Sequence, residues 1–472
     1  MIRLLEALRS KRTDEGFSLV EVVVAMVILG LLATGISAGA GLVIRMTADN
    51  RSRQIAVNLA EQQLDIDRGI LDPFEIHPFG PGETLPAKQQ VVSGRTYTTT
   101  QKTSLKTVDG SDISCGSGKT IYYRSIGVAV DWSGRLPTTN PVTSETVISP
   151  NGRINDASTG SIAVLVRGSA GTGEAGVTVS ITPVSASATT LQTQPVPTDV
   201  EGCTYALGIV PGTYRVSISR NGSIDPSQNP APSTDLQGNV TVTAGSTSPV
   251  NFTYDQAATF PVGYRPANAV LPTKLPVTFL SIGSPYASSS STAAPSSVSL
   301  YPYASGYTAI AGAEADPVTG RTTCAAQDPA AWPAGTYAGK KVGAGVRGST
   351  ATADPGATAA APGLTVPVGT FTVRSTTPLY LTAVAQSSTT NGQPACDSPQ
   401  TFTFSTFSTS ATVTLALPYG SYKLSSSVVS GGTLLPIGAL LGLAPVTDPV
   451  NGVLASFDPM SSTLTLDPRP AS

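Results

Sequence analysis

Twenty-eight consecutive residues, Phe17 to Ile44 (FSLVEVVVAMVILGLLATGISAGAGLVI), contain a single ionisable side chain, Glu21. A helix of that length spans about 42 Å at 1.5 Å per residue, enough to cross the hydrocarbon core of a bilayer. Arg3, Arg9, Lys11 and Arg12 precede it, and basic residues ahead of a first span keep the N-terminus in the cytoplasm. A secretory signal has an apolar stretch of only about 7–15 residues and a small-residue cleavage site soon after it. This run is too long, and no such site follows promptly. A plain signal anchor explains everything except Glu21. A carboxylate in an apolar helix costs roughly 2.5–3.5 kcal/mol at the bilayer centre, less near the edge, so an acid placed there needs a partner.

Gly16-Phe17-Ser18-Leu19-Val20-Glu21, followed by the unbroken apolar helix, resembles the processing site of type IV prepilins and pseudopilins. The resemblance implies that a membrane-embedded prepilin peptidase cuts between Gly16 and Phe17 and that Phe17, the new amino terminus, is methylated. It also implies that Glu21 serves subunit assembly by pairing with the N-terminal amine of a neighbouring subunit. The physics agrees, because a buried ammonium and a buried carboxylate each offset their desolvation cost only by meeting. The implied partners are the prepilin peptidase, other pilin subunits, the pilus assembly platform, and the cytoplasmic membrane through residues 17–44.

The helix is expected to run on past the apolar stretch. No proline occurs before Pro73, and Ile55, Leu59, Ile66 and Ile70 recur at spacings that put them on one helical face. A helix from Phe17 to about Gly69 would be roughly 80 Å long, and Asn58 to Leu64 resembles the second half of the pilin spine. Gly30, Gly35, Gly39 and Gly41 are unusual in a soluble helix but normal in a membrane-type one, where small residues allow close helix approach. Strand-like runs follow at Gln89–Gln101, Thr120–Trp132 and Pro141–Ser149. The expected fold class is an α+β pilin module, a long N-terminal helix plus an antiparallel sheet, followed by mainly-β sandwich domains.

Composition supports the β-rich remainder. Charged residues are 12% of the chain, with 46 glycines and 38 prolines, the profile of many short strands separated by turns. In residues 157–258, Gly176–Val179, Thr198–Gly202 and Pro211–Val216 resemble the strand and turn elements of the prealbumin-like, carboxypeptidase-regulatory-like β-sandwich. Leu417 to Leu424 echoes the Pro211–Val216 element. The expected organisation is a leader at 1–16, the pilin-like spine and head at 17–152, the sandwich at 157–258, a β and loop region with low-complexity linkers at 259–364, a degenerate second sandwich at 365–430, and C-terminal strands at 431–472. Tyr301, Tyr303 and Tyr307 crowd one short stretch, read as half-buried strand residues in preference to a contact surface.

Several functions are excluded or disfavoured. The single histidine, His77, rules out multi-His metal sites within the chain. A net charge of −2 gives no footprint for nucleic acid. No Gly-rich phosphate loop is present, no cofactor or metal is expected, and the chain is not read as an enzyme. No lysine lies between Lys119 and Lys274, which excludes a Lys–Asn isopeptide bond in the sandwich. The four cysteines stand far apart. Cys324 and Cys396 are candidates for a disulfide in an exported region, although four cysteines allow three full connectivities.

The expected function is a minor, low-copy or tip subunit of a type IV pilus-like filament. It would be single-pass in the cytoplasmic membrane before assembly and extracellular afterwards. The alternatives are a pseudopilin of a type II secretion or DNA-uptake machine, and a filament-displayed adhesin for a surface ligand.

Overall fold

A computed structural model describes residues 18–69, 87–107, 109–113, 123–135, 140–148, 158–235, 238–281, 284–289, 294–312, 324–337, 339–387, 392–396, 400–430, 432–437, 444–445 and 453–470. Gly16, Phe17, Ile70 and Cys115 lie outside the described residues. One long helix is followed by a succession of mostly antiparallel sheets. The chain divides into two units, residues 1–113 with 121–151, and residues 114–120 with 152–472.

In the first unit, α1 (Leu19–Arg68) is 50 residues long, about 75 Å. A four-stranded antiparallel sheet follows: β1 (Lys88–Val92), β2 (Arg95–Lys106), β3 (Tyr123–Trp132) and β4 (Val142–Ile148), in sequential order. The run Gln89–Gln101 is therefore a hairpin and not one strand. Ser93 (φ 51°) and Gly94 (φ 78°) both adopt left-handed backbone, the turn whose twist matches that of the flanking strands. The Ser-Gly pair was the signal for it.

β3 alternates strictly, sending Ile126, Val128, Val130 and Trp132 into the core. The helix meets them with Ala56, Ala60 and Leu64, all fully buried. This corrects the expected face: Ile55 and Leu59 lie half-buried at its border, and Ile66 is 51% exposed. The face that docks is made of small residues, which let the helix approach the sheet closely, and of polar residues with partners on the sheet. A hydrophobic periodicity count passes over both.

In the second unit, residues 160–254 form a sandwich from β5 (Gly160–Arg167), β6 (Thr178–Pro183), β7 (Cys203–Ile209), β8 (Gly212–Ser219), β9 (Val240–Val242) and β10 (Thr247–Thr253). One sheet has the order β9-β8-β6, and the other β10-β5-β7 with β10 parallel to β5. Ile162, Val164 and Val166 from one sheet face Val179, Ile181 and Val216 from the other. In the Thr198–Cys203 turn, Asp199 accepts the Cys203 N–H at 2.7 Å, and Gly202 has φ 77°. A Cβ on Gly202 would run into the Val166 carbonyl. Tyr214 is fully buried, and its hydroxyl donates to the Val210 carbonyl at 2.8 Å, while Arg215 on the opposite face pairs with Asp235.

A second core in this unit runs from Ala258 to Leu466. Its strands include β11 (Ala258–Arg265), β12 (Val277–Ser281), β13 (Ser297–Leu300), β14 (Thr308–Ala311) and β15 (Leu364–Pro367). The 18-residue β16 (Gly369–Gln386) pairs over its first part with β17 (Phe407–Leu417) and over its last part with β18 (Gly420–Ser427). β19 (Val453–Asp458) and β20 (Thr463–Pro470) complete the sheet on the far side of β18. The core is continuous across residue 364: Phe260 and Phe279 share it with Phe371, Leu415 and Leu466.

Tyr301 and Tyr307 are almost fully buried, and the tyrosines pack edge-on or tilted with ring centroids 4.9 and 5.8 Å apart. They meet the sandwich through Gln228, which donates to the Tyr307 hydroxyl at 3.3 Å and accepts the Tyr301 N–H at 2.9 Å. A disulfide joins Cys324 to Cys396, 72 residues apart. By loop entropy a closure of that length restricts the unfolded chain by about 4 kcal/mol.

Candidate functional site, a long helix bare at one end and docked at the other

From Leu19 to Met46, α1 presents apolar side chains that none of the described residues covers. Leu19, Leu31, Ile36 and Ile44 are 69–80% exposed. The most apolar window has a mean hydropathy of 2.5 and no buried residue. Among the described residues this is the one helix long and apolar enough to cross a membrane. Glu21 is the acidic residue of its first turn and is exposed. The positive end of the helix dipole favours a carboxylate there. Beyond Glu21 no charge occurs until Arg45.

The other end is fixed by polar contacts around the alanine face. Asp49, 4% exposed, accepts the Trp132 indole N–H at 2.9 Å. Ser52 accepts from Arg95 at 3.0 Å. Asp67, also buried, accepts from Gln101 at 2.9 Å and from Gln63 at 3.2 Å. Burial pushes the Asp67 carboxyl up, against the lowering influence of those two amides and of Arg124. Nearer the surface, Ser144 donates to Glu61 at 2.8 Å, and Arg68 reaches Thr146. The docked half is thus tied to the sheet by polar contacts near both its ends, with Ala56 and Ala60 packed between them. Sequence reasoning missed Asp49, Ser52 and Asp67. Their spacing of 3 and 15 residues along the alanine stripe, with Trp132 at the end of an alternating strand, was the available signal.

Residues 11–37 match the family described as the prokaryotic N-terminal methylation motif. The chain carries a type IV prepilin-like methylation motif. The match spans Gly16, Phe17 and Glu21 and runs into the bare half of α1. Among solved structures, the chain was aligned with the Bacillus anthracis TIE protein (10% identity, 76% of this chain and 71% of that one, TM-score 0.19). It was also aligned with a streptococcal ancillary pilin (10% identity, 48% and 68%, TM-score 0.17) and with a variant of the major pilin subunit of Bacillus cereus (12% identity, 61% and 96%, TM-score 0.17). At these TM-scores the likenesses carry no argument. The comparison with curated proteins gave no match. The motif and the geometry of its helix therefore carry the functional reading. Cys324 and Cys396 belong to the other unit and have no part in it.

Proposed function

We propose that this chain is a pilin-like structural subunit. It is made as a precursor, cut by a prepilin peptidase between Gly16 and Phe17, methylated at Phe17, and assembled into a type IV pilus-like filament through α1. The single observation that carries this reading is the methylation motif on a helix whose apolar half is entirely uncovered. Before assembly the bilayer covers that half. Afterwards the helices of neighbouring subunits cover it, with Glu21 meeting the amine of an adjacent copy. Residues 17–44 hold the chain in the cytoplasmic membrane as a single span until extraction, and the β-rich unit is displayed at the cell surface.

A minor, low-copy or tip position follows from bulk. Residues 152–472 form a unit of their own beyond the spine and its sheet, and repeating that unit on every subunit would crowd a helical array. Quantitative mass spectrometry of sheared filaments tests this: the chain is expected well below the dominant pilin, and a dominant stoichiometry would refute the low-copy position.

A further inference from the structure

The C-terminal sheet carries a row of polar side chains on the face opposite its apolar core. Gln386 on β16, Ser421 on β18, Thr465 on β20 and Ser456 on β19 stand directly opposite one another across four adjacent strands. Direct cross-strand partners point to the same face. The alternate residues, Tyr422, Leu424, Leu464 and Leu466, fill the core behind them. The row of hydroxyls and one amide forms the floor of a cleft of about 430 Å³, within the size range of small-molecule sites.

Two loops wall the cleft, one carrying Trp332 and Tyr337 and the other Gln393. The Cys324–Cys396 disulfide ties these loops together. The Trp332 indole N–H donates to the Ala326 carbonyl at 2.7 Å, and the Arg469 guanidinium lies 5.3 Å from its ring centre. Gln393, 4% exposed, accepts from Ser421 at 2.6 Å. Both walls are therefore set before any ligand arrives.

The floor's hydrogen-bond inventory is specific. Ser421 spends its proton on Gln393, so in the 2.8 Å contact between Ser421 and Thr465 the Thr465 hydroxyl is the donor. The Thr465 lone pairs remain open to the cleft. Gln386 uses its N–H groups on the Val384 and Ala385 carbonyls, leaving its side-chain oxygen as an acceptor. Tyr337 donates to Ser456 at 2.8 Å, which leaves the Ser456 proton as a donor. Two acceptors, Gln386 and Thr465, and one donor, Ser456, thus stand along the floor, with the Tyr337 ring at its rim. Among the described residues no lysine or arginine lines the cleft, and its one carboxylate, Asp458, is held below its usual range by hydrogen bonds from Ser461 and Met460.

We propose that this cleft binds a neutral saccharide, its hydroxyls on the Gln386–Ser456 row and a C–H face against the half-buried Tyr337 ring, with Trp332 buried behind it. A sugar hydroxyl both donates and accepts, which the mixed row requires, and its C–H face suits an amphipathic aromatic. Asp458 and the exposed Lys423, the two cross-strand partners of Thr463, leave that end of the cleft without net charge, so an anionic ligand gains no net attraction there. This proposal does not depend on the assembly route and tests separately from it.

The test applies the purified full chain in detergent to an array of immobilised neutral and anionic oligosaccharides, where multivalent display makes weak single sites readable. Binding is expected on a subset of the neutral hexose and N-acetylhexosamine spots. Gln386→Ala and Thr465→Val are each expected to lower it about tenfold with the melting temperature of the chain retained. If either variant fails to fold, Tyr337→Phe takes its place, since it removes a single oxygen at the rim. Titration of the unaltered chain with the winning sugar in solution is also expected to change tryptophan emission through Trp332. Absence of binding to all neutral spots, preference for the anionic ones, or binding that the variants leave intact would each overturn the proposal.

Discussion

Glu21→Leu is expected to leave the chain processed and in the membrane but absent from filaments, with its amount in the sheared filament fraction reduced at least tenfold. The argument separates insertion from assembly. Insertion improves, because removing the carboxylate removes a cost of up to roughly 2.5–3.5 kcal/mol in the apolar region. Assembly loses the group that neutralises the amine of the adjacent subunit, and an ammonium left without its counter-ion among apolar helices is costlier than the pair that is lost. Glu21→Gln, which retains the shape and part of the hydrogen bonding, is expected to fall between the two. Immunoblots of membrane and sheared fractions read both quantities from one culture. Undiminished Glu21→Leu in the filament fraction would remove the carboxylate from the assembly mechanism.

The second large effect concerns stability in the β-rich unit. Asp467 and Arg469 are 0% and 1% exposed. Their side chains meet through Arg469 Nη2 to Asp467 Oδ2 at 2.7 Å and Nε to Oδ1 at 3.0 Å, and the Arg469 backbone N–H adds a bond to Oδ1 at 2.9 Å. The guanidinium also donates to the Pro333 carbonyl at 3.3 Å and lies over Trp332. Removing one member leaves the other charged in a dry site, a loss of about 3–5 kcal/mol. That is a large share of the roughly 5–15 kcal/mol by which domains are usually stable. Asp467→Ala should therefore lower the melting temperature by about 4–7 °C, at roughly 1.5 °C per kcal/mol for a unit of more than 300 residues. Replacing both, as Asp467→Leu with Arg469→Met, should recover most of the loss, because two apolar side chains strand no charge. Differential scanning calorimetry on the three proteins checks the order. Equal melting of the single variant and the parent would show that the pair is solvated and carries no such energy.

Legibility in the sequence followed the kind of physics involved. The bare half of α1 was readable because length, hydropathy and a lone acid are one-dimensional properties, and the same six residues that raise the question about Glu21 carry the motif. The docked half was readable as helix but not as a face, since Ala56 and Ala60 pack closely without being strongly apolar and Asp49 and Asp67 become core residues only by reaching Trp132 and Gln101. Alternation located β3 and the sandwich strands, where one face is buried. It missed the turn at Ser93-Gly94, which hid inside an otherwise continuous strand-like run. The C-terminal DPRP stretch lies within the strands expected at 431–472, but its burial was not legible, because it depends on Asp467 and Arg469 satisfying each other and on Trp332 packing against Arg469. The cleft row was invisible for a related reason: Gln386, Ser421, Ser456 and Thr465 are ordinary polar residues until register aligns them.

The central claim is that the motif directs cleavage and the helix then serves assembly. The N-terminal mass of the mature chain, taken from cells with and without the prepilin peptidase, tests it most directly. The account predicts a chain beginning at methylated Phe17 when the peptidase is present and an uncut chain beginning at Met1 when it is absent. A chain that still begins at Met1 in both would contradict it and reduce α1 to an uncleaved anchor.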